Sequence, residues 1–105
     1  MATKNIMLVC AAGMSTSLLV TKMQEVAEEK NVDAHIFAVS GTEAEEKLKT
    51  SPVDVMLLGP QVRYMKPKFE ELAKQNDIII EVINMRDYGT MNGENVLNTA
   101  LDLVK

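Results

Sequence analysis

The sequence predicts an α/β fold: a single open four-stranded parallel sheet with helices on both faces, in one domain spanning residues 1–105. Three observations lead there. Four short apolar runs punctuate the 105 residues, at 6–9, 34–39, 53–58 and 78–83. Three of them are nearly continuous in Ile, Val, Leu and Met, as strands covered on both faces must be. Longer segments with helical spacing separate the runs, so strand and helix alternate four times, which implies right-handed crossovers between parallel strands.

The first run is Ile6-Met7-Leu8-Val9. In the helix expected after it, Leu19, Met23, Val26 and Ala27 share one face while Lys22, Glu25, Glu28 and Glu29 lie off it. His35 falls within the second run, where alternation puts it on a solvated face. Thr42, followed three residues later by Glu45, has the pattern of a capping box opening a short second helix. A third helix is expected over 61–75, with Pro67 either kinking it or beginning a second helical piece. Residues 84–93, with Arg86, Asp87 and Tyr88, read either as a polar loop or as a border of the site. Val96, Leu97, Ala100, Leu101 and Val104 then form the clearest apolar stripe in the chain. Most of the eight methionines read as core filling.

Composition removes several function classes. A net charge of −4 offers no basic face for a sequence-independent hold on nucleic acid. No stretch reaches the roughly 20 apolar residues of a membrane span, and the run at 6–9 is too short for a secretory signal. The expectation is a soluble cytoplasmic monomer with no direct membrane insertion. A single cysteine forms no internal disulfide and fits a reducing compartment. One His and one Cys cannot close a zinc site, and no Gly-x-x-x-x-Gly-Lys loop is present, so neither metal nor nucleotide cofactor is expected.

Open α/β sheets bind ligands beyond the carboxyl ends of their strands, at the switch point. With a flavodoxin-like strand order of 2-1-3-4, the loops after the first and third strands meet there. The first of these reads Cys10-Ala11-Ala12-Gly13-Met14-Ser15-Thr16-Ser17. Ala11, Ala12 and Gly13 let the backbone curl closely around an anion, and the helix start near Met14 offers unpaired N–H donors and a positive dipole end. Ser15, Thr16 and Ser17 add hydroxyl donors. The same surroundings favour a thiolate at Cys10, since a helix N-terminus contributes roughly 0.3–1 kcal/mol to a nearby negative charge. Position and composition alone leave two readings open: a nucleophilic thiol in a phosphate loop, or a buried cysteine ahead of an ordinary helix cap. The Gly59-Pro60-Gln61 turn after the third strand is placed beside Cys10 as a possible border, with Gln61 a candidate donor to a bound phosphoryl group.

The residues also carry a resemblance. The stretch Ile6-Met7-Leu8-Val9-Cys10-Ala11-Ala12-Gly13-Met14-Ser15-Thr16-Ser17-Leu18-Leu19-Val20, then Asp54-Val55-Met56-Leu57-Leu58-Gly59-Pro60-Gln61-Val62 with Tyr64-Met65 behind it, resembles the enzyme IIB component of the lactose/cellobiose (also diacetylchitobiose) branch of the bacterial sugar phosphotransferase system. The likeness runs the length of the chain. It implies a protein-phosphocysteine–sugar phosphotransferase in which Cys10 takes phosphate from a histidine of a phosphorylated IIA protein. Cys10 would then pass it to a β-linked disaccharide held by the membrane IIC transporter, so the chain meets the inner membrane face only through that partner. Met14, Val62 and Met65 are candidates for an apolar docking rim, with Leu18 assigned to the core instead.

A hydrolase with a similar layout, the low-molecular-weight tyrosine phosphatase, has Cys, five residues, Arg, then Ser or Thr. Counting from Cys10 puts Thr16 where that Arg belongs and Ser17 at the hydroxyl. Asp87-Tyr88 only faintly matches its Asp-Pro acid loop. Without a guanidinium no bidentate clamp forms on the transferring phosphoryl group, which suits a carrier whose phosphocysteine must outlast water.

With two Tyr, two Phe and no Trp, the chain has little from which to line a sugar cleft. Titration calorimetry with cellobiose, lactose and diacetylchitobiose should therefore show no binding to the isolated protein. Saturable heat from any one of them would place sugar recognition in this chain.

Overall fold

β1 (Lys4–Cys10) forms the centre of the computed structural model, which describes residues 3–10 and 14–104. Parallel pairing joins β1 to β2 (Ala34–Ser40) on one side and to β3 (Val55–Leu58) on the other, and β4 (Ile79–Val82) extends the sheet beyond β3. The order is β2-β1-β3-β4, as expected.

Alternation along β1 divides the core. Ile6 and Leu8 join the layer under α1 (Met14–Glu29) and α5 (Gly93–Leu103), where Leu19, Met23, Val96, Leu97 and Ala100 are buried. Met7 and Val9 face the opposite layer, built from Ala44 of α2 (Gly41–Thr50), Val62 of a 3-10 helix (Pro60–Met65), and Phe69 and Ala73 of α3 (Lys66–Gln75). Residues 6–9 are therefore fully buried, which explains their unbroken apolar character. Among the described residues, no helix is long and apolar enough to cross a membrane.

Several local expectations are corrected. The capping box at α2 is Ser40/Glu43, two residues before the Thr42/Glu45 pair. β2 runs on to Ser40, which pairs with Cys10, so the helix starts at once. The Glu43 carboxylate accepts the Ser40 N–H at 3.4 Å and its hydroxyl at 2.8 Å. Pro67 begins a second piece rather than kinking one helix: it stands in the first turn of α3, where its missing N–H costs nothing, and a 3-10 helix precedes it. β3 is shorter than the apolar run at 53–58 because Asp54 turns to bond β1, its carboxylate accepting the Asn5 N–H at 2.7 Å.

α1 and α3 end alike. Asn31 and Asp77 take left-handed φ of 56°, and the next N–H groups, of Val32 and Ile78, each reach back 2.8 Å to Ala27 and Ala73 carbonyls. These Schellman turns satisfy late helix carbonyls and aim the chain into β2 and β4. Residues 84–93 are not a plain loop. They contain a short helix, α4 (Met85–Gly89), capped by the Asn84 side chain, which accepts from Arg86 N–H and Asp87 N–H.

α5 approaches the α1 backbone closely at Gly93. A Cβ there would lie 2.8 Å from the Lys22 carbonyl carbon and 2.9 Å from the Met23 nitrogen, both backbone atoms of α1 that cannot swing aside. Gly93→Ala should destabilise the fold by about 1–3 kcal/mol in denaturant titration. Gly89→Ala, which meets nothing within 4 Å, should be neutral or stabilising by up to about 1 kcal/mol. Equal effects at the two positions would refute this account of the α1–α5 contact.

Candidate functional site

Cys10 is the last residue of β1, so its thiol sits where the central strand leaves the sheet. It is buried, with 7% of its surface exposed, and its Sγ lies 3.7 Å from the Val39 carbonyl, a weak S–H donation across to β2. α1 begins four residues later and directs its N-terminal backbone donors and positive dipole end to this end of the sheet.

Beside the thiol opens a cleft of about 260 Å³. One wall is the β2–α2 junction, Ser40, Gly41 and Thr42; the other is the 3-10 helix, through Val62, Tyr64 and Met65. Gly41 packs closely on the 3-10 helix: a Cβ there would come within 2.8 Å of the Met65 sulfur, the far end of a side chain that can move aside. Another hollow, of about 270 Å³, lies along β4 between Glu81, Asn84, Asp87 and Thr99. It holds no nucleophile. Asn84 there caps α4, and the Asp87 carboxylate accepts from Asn95 at 3.2 Å.

Of the expected phosphate loop, Ala11, Ala12 and Gly13 lie outside the described residues, as do the side chains of Met14 and Ser15, whose backbone opens α1. Ser17 is exposed on the first turn of that helix. Thr16 is turned inward, 1% exposed, with its Oγ1 3.0 Å from the Tyr88 hydroxyl, a hydrogen bond in which either oxygen can donate.

The turn after β3 lies beside β1 as the strand order required: the Gly59 N–H donates to the Val9 carbonyl at 2.9 Å. Gln61 is exposed, and its Oε1 lies 3.4 Å from the position of a Cβ on Gly59. Pro60 is half-buried between them.

Two readings of apolar residues are reversed. Val62 belongs to the core against Met7 and Leu58, not to a rim. Leu18 is half exposed, because Leu19 and Met23 already occupy the inward stripe of α1. Tyr64, at 74% exposure, and Met85, at 65%, are more open still, and both follow carboxyl ends of strands. Ser40 and Thr42 are not among the residues expected at the site, whereas Tyr88 falls in the stretch read as a possible border of it. The strand order held a signal for the first two, since β2 is the other neighbour of β1 and its following loop must also flank Cys10.

The fold and the lone cysteine at the switch point define a class of small α/β proteins with a thiol above the central strand. Comparison with known proteins narrows it. Residues 5–99 match the family described as "PTS system, Lactose/Cellobiose specific IIB subunit". The galactose-specific EIIB component of Lactococcus lactis subsp. cremoris is 47% identical over 107 residues, covering 99% of each chain. The oligo-beta-mannoside-specific EIIB component of Bacillus subtilis is 42% identical over 101 residues, covering 96% of each. The solution structure of a cellobiose-specific phosphotransferase IIB component from Borrelia burgdorferi superposes with a TM-score of 0.79 at 47% identity, covering 98% of this chain and 93% of that one. The chain belongs to the lactose/cellobiose-specific IIB family of the sugar phosphotransferase system.

Burial of Thr16 bears on the comparison with tyrosine phosphatases. A guanidinium at this position would have to displace the Tyr88 hydroxyl or lie unpaired in the core. Thr16→Arg should therefore cost about 3–5 kcal/mol of stability. A urea midpoint close to that of the unsubstituted protein would show that the pocket around residue 16 is open to solvent.

Proposed function

We propose that this chain is a cytoplasmic phosphocarrier, working as one IIB unit, that moves a phosphoryl group from a IIA protein to a β-linked disaccharide through Cys10. The observation that carries the reading is the single thiol at the carboxyl end of the central strand, immediately before a helix N-terminus and on the edge of an open cleft. The Sγ lone pair attacks phosphorus on the donor histidine; the P–N bond breaks, its electrons return to the imidazole, and the imidazole takes up the proton the thiol gives up. A sugar hydroxyl then attacks the same phosphorus, the P–S bond breaks with its electrons returning to sulfur, and the hydroxyl proton restores the Cys10 thiol.

The phosphoryl oxygens would be met by the backbone N–H groups of residues 11–15, with the Ser15 and Ser17 hydroxyls as further donors; the Thr16 hydroxyl is instead turned inward to Tyr88. Gly59, Pro60 and Gln61 border the group from the β3 side. Leu18, Tyr64, Met65 and Met85 supply apolar surface around the site for docking IIA and then the membrane IIC component. That need for close docking fits a thiol with so little exposure. Relatives more than two-fifths identical to this chain carry names specifying galactose and oligo-beta-mannosides, which supports placing the choice of sugar in the transporter.

Incubation with phosphoenolpyruvate, the general phosphotransferase proteins and a IIA partner should add one phosphoryl group, found by mass spectrometry on the Cys10 peptide. Cys10→Ser should remove it entirely. Phosphate on His35, which stands exposed on β2, or on Ser15 would overturn the assignment.

A further inference from the structure

We infer that Tyr88 is a positioning residue for phosphoryl transfer, acting through its buried hydrogen bond to Thr16; the inference rests on Cys10 being the phosphorylated residue. Thr16 is the one buried polar side chain among the described residues outside the aromatic set, and its partner lies 72 positions away, on a helix of only five residues. Stability does not account for such a pair. Burying two hydroxyls requires that they bond each other, and replacing both by apolar groups of the same shape is commonly neutral or stabilising. Val and Phe would fill the same space in a layer that is otherwise apolar.

The pair does fix direction. A hydroxyl bond is angular where an apolar contact is not, so it sets the rotation of the first turn of α1, six residues after Cys10. Tyr88 also reaches the second loop at the site: its ring lies 3.6 Å from the position of a Cβ on Gly59, whose N–H is bonded to Val9. One side chain thus bonds the first turn of α1 and lies against the turn after β3. Its own helix is held by the Asn84 cap and by Asn95, which donates to Asp87.

Charge on three phosphoryl oxygens is stabilised by donors aimed in advance, and small misplacements of such donors slow a reaction without weakening binding. Tyr88 is buried, so a docking protein would not touch it.

The test is the rate at which the whole chain takes phosphate from IIA, measured across donor concentrations for the unsubstituted protein, Tyr88→Phe, Thr16→Val and the double variant, with melting followed in parallel. Tyr88→Phe should lower the limiting rate on the order of tenfold and leave the half-saturating donor concentration within about twofold. The double variant should be no slower than the slower single one, because both changes remove one bond. A limiting rate unchanged in Tyr88→Phe, a loss that appears only in half-saturation, or a double variant slower by the product of the singles would each overturn the proposal. If Tyr88→Phe does not fold, Thr16→Val reads the same bond, and failure of both to fold would make the pair purely structural and overturn it. Absence of phosphate on Cys10 of the unsubstituted chain would instead remove the carrier reading beneath it.

Discussion

A strand with parallel neighbours on both edges and helices over both faces has its backbone bonded laterally and its side chains buried, so only its ends remain for chemistry. β1 is that strand here: residues 6–9 have no exposed surface, and the two layers of the core divide along their alternation. The other elements are placed by the need to cover it. Because all four strands run parallel, their following loops gather at one end, and Cys10 is carried to the middle of that end by its position in the chain.

The consequence for the thiol is enclosure from two sides. β2 approaches through Val39 and Ser40, and the turn after β3 approaches through Gly59, bonded to Val9. Such a group borders the cleft between the β2–α2 junction and the 3-10 helix. Tyr64 lines that cleft and is largely exposed, and Leu18 and Met85 are exposed on the helices that follow β1 and β4.

The buried Thr16–Tyr88 bond brings the last third of the chain into the site. α4 would otherwise be a short surface turn between β4 and α5. Its tyrosine ties it to the first turn of α1, the helix that follows Cys10. The Thr16 side chain is buried and its hydroxyl is bonded to a tyrosine from another element.

The sequence by itself determined what depends on neighbours along the chain. The apolar runs around Ile6-Met7-Leu8-Val9 and Val55-Met56-Leu57-Leu58, the stripe from Val96 to Ala100, and the glycine and hydroxyl residues after Cys10 are local patterns. From them follow the strands, the parallel α/β class and the lone thiol at a strand end; the order 2-1-3-4 comes with the flavodoxin-like arrangement, not from local pattern. Local pattern erred by two residues at the α2 cap, since pairing between Ser40 and Cys10, not the helix's own residues, decides where β2 stops. Tertiary structure alone decided that Val62 turns inward and Leu18 outward, because each lies on an element whose rotation is set by packing. It also decided that Thr16 meets Tyr88 and that Ser40 and Thr42 wall the cleft. These groups stand far apart in sequence, and no periodicity along the chain records a distance across the folded sheet.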